Sequence, residues 1–222
     1  MRTLYHTPLS PFCRKIRVLL KEKALEADLV NEPVWERRAD FFALNPAGEV
    51  PVLQDENGLI ISGSYAIAEY LEEGYQETNF LGSTLHQRAE VRRLITWFDF
   101  KFYHEVTQKI LYEKVFRHLT RDGGPNSEAI RAGKGNMLYH LDYIAHLTKE
   151  RTWLAGETFT LADISAAAHL SALDYLGDIP WSHNPSVKDW YALVKCRPSF
   201  RPLLKDRISG FMPPGHYEDL DF

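Results

Sequence analysis

Three short runs in this sequence hold the residues most able to do chemistry. The first is Ser10-Pro11-Phe12-Cys13, which opens an apolar-periodic stretch with Ile16, Leu19 and Leu20. Serine followed by proline is the pattern of a helix start, with Ser10 as N-cap and Pro11 as first helical residue. A hydroxyl there has two uses. It satisfies a backbone donor, or it hydrogen-bonds a charged ligand group and favours the ionised form. Cys13, one turn inside, either faces back toward that start or serves as a small buried hydrophobe. The second run is Val50-Pro51, at the head of an apolar strand. The third is Gly63-Ser64, at the head of a helical stripe of Ile67, Tyr70 and Leu71.

Other constellations lead elsewhere. Nine histidines form no His-x-x-x-His pair and the two cysteines no Cys-x-x-Cys, so no metal is expected. Gly133-Lys134-Gly135 lacks the ending of a phosphate loop and sits in a helical pattern. Tyr103, His104, Tyr112 and Phe116 share a long helix, as a core stripe, a contact between copies, or the lining of a pocket. Thr160-Leu161-Ala162-Asp163 reads as a capping box variant.

The elements that must position these runs alternate in type over the first eighty residues. Thr3 to His6 and Asp28 to Glu32 read as strands flanking the helix from Pro11 to Lys23. A short helix from Arg37 to Leu44 follows. Val50 to Gln54 and Leu59 to Ile61 flank Asn57-Gly58, a hairpin signal. With the helix from Ser64 to Glu73 the order is βαβαββα. Gly74 to Thr84 reads as a linker. Beyond it the pattern is helical: His86 to Leu119, Ser127 to Lys149 with Ser127 as cap, a run to Leu176, Pro185 to Lys195 and Ser199 to Asp206. The expected organisation is residues 1–78 as an α/β domain, 85–209 as an all-helical domain and 210–222 as an acidic-aromatic tail.

Composition narrows the classes. Of 222 residues, 45% are hydrophobic and 25% charged, enough for a core and unlike a disordered chain. Lys plus Arg number 26 against 30 Asp plus Glu, which lacks the basic excess of a general nucleic-acid binder. Cys13 and Cys196 lie far apart, which speaks against a disulfide framework. The absence of a long apolar run or a signal region leads to the expectation of a soluble, cytoplasmic protein that does not insert into membrane. The final stretch, Gly210 to Phe222, has no periodicity and mixes acidic residues with Tyr217, Leu220 and Phe222. It reads as a frayed terminus or as a linear motif for a partner.

Taken in order and spacing, Ser10 to Cys13, Val50-Pro51, Ser64-Tyr65-Ala66-Ile67 and Thr160 to Asp163 resemble the glutathione S-transferase superfamily over essentially the whole chain. The resemblance implies a thioredoxin-like N-terminal domain, an all-α C-terminal domain and a homodimer. It also implies a glutathione site. Ser10 would hydrogen-bond the ligand thiolate and lower its pKa, and so be the catalytic residue of an active enzyme. Val50 would offer its backbone to the cysteinyl part beside a cis Pro51. Ser64 would hold the γ-glutamyl carboxylate at a helix start. The residue before that serine, usually Glu, Gln or Asp, grips the ligand's amino group; here it is Gly63. A hydrogen bond to a charged group is worth about 1.5–3 kcal/mol, so its loss weakens binding roughly ten- to a hundred-fold. Weak glutathione binding follows as an expectation.

Val34-Trp35-Glu36-Arg37-Arg38 and the Pro-Pro-x-His-Tyr-x-Asp-Leu-Asp-Phe ending resemble, within that superfamily, a bacterial subgroup of the FzlA type, known for binding the division polymer FtsZ. This second resemblance implies partner contacts at Trp35, Arg131, Tyr217, Asp219, Leu220, Asp221 and Phe222. Trp35 is an exposed anchor or a partly buried packing residue; Arg37 and Arg38 form a basic face or a solvated one. Gly133 and Gly135 allow close approach of a neighbouring helix or of a partner. Two functions thus stand side by side: a dimeric FtsZ-binding protein with weak or no conjugation, and an active transferase using Ser10.

Overall fold

The computed structural model describes residues 1–220 and divides into two units, Met1–Phe80 and the chain from Leu81 onward. The first follows the expected order. Strand β1 (Arg2–His6) leads through helix α1 (Pro11–Glu22) to β2 (Ala27–Asn31). A single turn of 3-10 helix (Val34–Glu36) and α2 (Ala39–Leu44) follow, then β3 (Val52–Gln54), β4 (Ile60–Ser62) and α3 (Ser64–Gly74). The sheet order is β2-β1-β3-β4. β1 and β2 are parallel, as a helical crossover requires. β3 runs antiparallel to β1, with Leu4 opposite Leu53, and β4 antiparallel to β3.

Leu4, Ile16, Leu19, Val52, Leu53, Ile67 and Leu71 are fully buried, so the faces of β1, β3, α1 and α3 share one core. The Asn57-Gly58 hairpin forms as expected, with Gly58 at φ +83° and its N–H donating to the Asp55 carbonyl at 2.9 Å. At the end of the unit the buried Lys23 pairs with the buried Glu72 at 3.0 Å. The same ammonium donates to the carbonyls of Tyr75 and Thr78, and Glu72 accepts the Phe80 N–H. These bonds tie down a polar stretch that lacks regular structure.

The second unit is helical. α4 (Leu85–Thr96) starts with a capping box of Thr84 and Gln87 and runs on as one rod through a widely wound segment (Trp97–Phe116) into α5 (Arg117–Thr120). At the end of that segment the Arg117 N–H donates to Tyr112, five residues back. Phe98, Phe102, Val106 and Ile110 recur every fourth residue and are all fully buried. That spacing exceeds the 3.6-residue turn of an α-helix, and wider winding keeps the row on one face. Phe102 sits between His140 of α6 (Ser127–Thr148) and His169 of α7 (Leu161–Asp174), with ring centroids 5.0 and 5.7 Å away.

Two helix starts deserve comparison with expectation. The cap of α6 is Asn126, whose side chain accepts the N–H groups of Glu128 and Ala129; Ser127 is the first helical residue instead. Both are good caps, and Asn126 wins because the break at Gly123-Gly124-Pro125 delivers it in extended backbone. The Thr160–Asp163 box forms as read, and Asp163 also accepts from Leu154 N–H and Trp190 Nε1. α7 is buried along its whole length, with α8 (Pro185–Lys195) and α9 (Arg201–Leu204) beside it in sequence.

The segment after α9 differs most from the sequence reading. Phe211 and residues 216–220 contact the helical unit, whereas Met212 between them is exposed. Tyr217, in a 3-10 turn (Gly215–Tyr217), is 0% exposed; its ring meets Tyr175 edge-on at 5.2 Å and its hydroxyl donates to the Leu203 carbonyl. An aromatic between two breakers and acidic residues looks like a tail, but tertiary packing offers this one a slot. Asp221 and Phe222 lie outside the described residues. Among the described residues no helix is long and apolar enough to cross a membrane, and no cluster of His, Cys, Asp or Glu could hold a metal ion.

Candidate functional site

One end of the first unit's sheet gathers the residues singled out by the sequence. The loop after β1 carries Ser10. Because β3 is antiparallel to β1, with Tyr5 opposite Val52, the start of β3 lies beside the end of β1. Val50-Pro51 therefore sits at the same end, with the peptide bond between them cis. Gly63 reaches it too: its N–H donates to the Pro51 carbonyl at 3.0 Å, and its own carbonyl receives the Ile67 N–H. Sheet topology thus brings Ser10, Val50, Pro51, Gly63 and Ser64 together from three separate stretches.

Ser10 caps α1. Its Oγ accepts the Cys13 N–H at 3.4 Å, and its own N–H donates to the Thr7 carbonyl. The cap bond is long, and the hydroxyl proton is left to donate elsewhere. Cys13 does not face a ligand: it is fully buried, its Sγ accepts the Thr7 N–H at 3.5 Å, and burial pushes its thiol up to about 11. A thiol so held is not a nucleophile near neutral pH. The Val50 N–H and C=O have no backbone partner among the described residues, which leaves an extended edge for a peptide-like ligand.

Gly63 occupies φ +87°, ψ 133°, a backbone state that a side chain disfavours. A Cβ built there meets nothing within 4 Å. The conformation is unusual and the space beside it is open. Gly63 takes the N-cap position of α3 without a side-chain bond, so Ser64 is the first helical residue and not the cap that a serine there suggests. Its hydroxyl lies at a helix start, where anions are favoured.

The partner residues expected from the ending and from Trp35 scatter. Trp35 is half-buried in its 3-10 turn. Arg37, at φ +51°, lies over the Phe42 ring, and Arg38 pairs with Asp40, so neither is simply solvated. Arg131 is exposed on α6. Gly133 is in close approach to the wide helix: a Cβ there would stand 2.9 Å from Ile110 Cγ1 and 3.0 Å from Lys109 Cβ. Gly135 faces open space. Glu218, Asp219 and Leu220 reach the surface in varying degree, whereas Tyr217 does not and presents no surface to a partner. Tyr112 bonds Asp122 and His104 bonds Gln108, which gives both local roles on the long helix.

Sequence reading missed the polar groups beneath that segment. Lys195, at the end of α8, is 0% exposed, and Asp174, at the end of α7, likewise. In sequence Lys195 looks like an ordinary basic residue complementing a helix C-terminus. Nothing local marks it as buried.

A sheet of this order, a helix start offering a serine hydroxyl, a cis-proline edge and a second helical unit define the transferase fold. Residues 4–79 match the glutathione S-transferase N-terminal domain and 128–193 the C-terminal domain, and the chain belongs to the glutathione S-transferase family. Within it the chain is 45% identical to FtsZ-localized protein A of Caulobacter vibrioides, covering 100% of this chain and 98% of that one. The solved structure of FzlA from C. crescentus superposes with a TM-score of 0.97 over 100% of this chain and 99% of that one. A crystal structure of a glutathione S-transferase from Rhodospirillum rubrum F11, 54% identical and fully covered in both chains, gives 0.98. Glutathione S-transferase 3 of Zea mays is 29% identical over 89% of this chain and 90% of its own.

Proposed function

We propose that this protein is a transferase-fold binding protein that associates, as a homodimer in the cytoplasm, with the division polymer FtsZ, and that glutathione conjugation is at most a minor activity. The observation that carries the reading is identity of 45% over the whole chain with FtsZ-localized protein A. Gly63 supports it, because the position that should grip the ligand's amino group offers only open space. Trp35, Arg131 and the surface groups Asp219 and Leu220, with Asp221 and Phe222 beyond the described residues, are the proposed contacts. Tyr217 acts from beneath them as an internal anchor.

A second reading keeps one specific observation on its side. Ser10 retains a proton to donate at a helix start, beside an unpaired Val50 edge and Ser64. There the hydroxyl would hydrogen-bond a glutathione thiolate while accepting from Cys13 N–H, hold the sulfur ionised and aim it at an electrophile. Two measurements separate the readings. Co-pelleting with polymerised FtsZ, lost in Trp35→Ala and Arg131→Glu, supports the first. Micromolar glutathione binding with turnover of an aromatic electrophile, both abolished by Ser10→Ala, would overturn it.

A further inference from the structure

The C-terminal segment receives a buried charge, the Lys195 ammonium, which also lies 5.9 Å from the centroid of the Tyr191 ring. Lys195 Nζ donates to the His216 carbonyl at 3.1 Å and to the Asp219 carbonyl at 2.5 Å. Asp174 Oδ1 accepts from Trp181 Nε1 and from His216 Nε2, both at 2.9 Å. The Cys196 thiol lies 3.9 Å from the Leu220 carbonyl, and the Arg207 guanidinium pairs with Glu218. Each residue from His216 to Leu220 is thus tied to the helical unit by its side chain or its carbonyl.

We propose that Lys195, charge-balanced by Asp174, is the positioning residue of the C-terminal segment: its ammonium grips carbonyls three residues apart and sets the orientation in which Glu218, Asp219 and Leu220 meet a partner. The partner clause rests on the proposed FtsZ association; the grip does not.

The division of labour follows from geometry. The Tyr217 ring anchors the segment in depth, through Tyr175 and the Leu203 carbonyl. A ring in a slot leaves the backbone on either side free to turn about it. Lys195 removes that freedom because its two acceptors lie on opposite sides of Tyr217. The Asp219 N–H also donates to the His216 carbonyl at 3.2 Å, so the same oxygen closes the turn and receives the ammonium. A buried ammonium deprived of its acceptors is strongly disfavoured, which makes the docked state the one that satisfies it. Burial lowers the Lys195 pKa and raises that of Asp174, and the opposite charge of each partly offsets the effect of burial on the other.

The test is amide hydrogen exchange on the full chain carrying Asp174→Asn with Lys195→Met. The asparagine oxygen still accepts from Trp181 and His216, the methionine keeps the aliphatic stem, and the pair is removed without orphaning a charge. Exchange at residues 217–220 is expected to accelerate at least tenfold, with protection in β1 and α6 unchanged. Unchanged exchange at 217–220 overturns the proposal. Should the double variant lose protection everywhere, Lys195→Gln, which keeps one donor, is read the same way. Acceleration confined to 217–220 supports the grip; acceleration spread evenly over the second unit overturns it as a positioning role. Co-pelleting with FtsZ is measured in parallel. A released segment with tenfold weaker pelleting supports the partner clause. A released segment with undiminished pelleting leaves the grip standing and removes the C-terminal contacts from the proposed function.

Discussion

The sheet end around Ser10 and the ground beneath Tyr217 are built in opposite ways. At the sheet end the backbone does the work. The positive φ of Gly63 and a Val50 peptide with no backbone partner among the described residues set the outline of a cradle. Beneath Tyr217 side chains do the work, through the bonds of Tyr175, Tyr217, Lys195 and Asp174 Oδ1 to the segment and its neighbours. The first region can lose a side chain and keep its form. The second cannot, because each group is the compensation for another. That asymmetry is what the proposed function calls for, a backbone outline kept at one end of the sheet and side-chain contacts organised in the helical unit.

The largest expected effect tests the second region. Tyr217→Ala empties a fully buried slot and should lower stability by about 3–5 kcal/mol, read by denaturant unfolding of the whole chain. Removing residues 216–222 should do at least as much, so a truncation that loses partner binding must be checked for folding first. If either change is neutral, the contrast collapses. Gly63→Glu probes the other side. Returning a carboxylate at φ +87° should cost roughly 1–3 kcal/mol of backbone strain and tighten glutathione binding about ten- to a hundred-fold, by calorimetric titration. No gain in affinity would mean that the cradle itself has changed.

Ser10→Ala should lower stability by only about 1 kcal/mol, the worth of an ordinary cap, while abolishing any conjugation measured in the parent. A much larger loss would make Ser10 a structural residue first. The smallest effect concerns acid. Arg93 first, and then Arg151, hold the Glu90 carboxyl down to about 2 from its usual 4.5. A depressed folded-state pKa stabilises above pH 4.5 and ceases to do so as pH falls toward 2. Glu90→Gln should therefore flatten the unfolding curve across that window and leave the sheet end unaffected.

The cradle was the more legible of the two regions. Ser10-Pro11, Val50-Pro51 and Gly63-Ser64 act through backbone preferences that are local, and local preferences can be read from neighbouring residue types. Gly58 and the Thr160–Asp163 box were legible for the same reason. The ground beneath Tyr217 was not, since Asp174, Lys195 and His216 come from separate stretches and meet only when α7, α8 and the final segment fold together. Burial of a lysine leaves no mark on its neighbours in sequence. Cys13 shows the same limit in miniature: spacing placed it one turn into α1, and only packing decided that it faces the core.

Gly133 has a consequence for how this molecule tolerates change. Hydrogen is the largest substituent that fits between α6 and Lys109, Ile110 and the Val106 carbonyl. A methyl there would act as a wedge near one end of a 22-residue helix, and a rod that long converts a small push at the wedge into a larger swing at its far tip. Alanine at 133, ordinarily the most helix-friendly of exchanges, should here be felt around Tyr143 and Leu147, remote from the substituted atom.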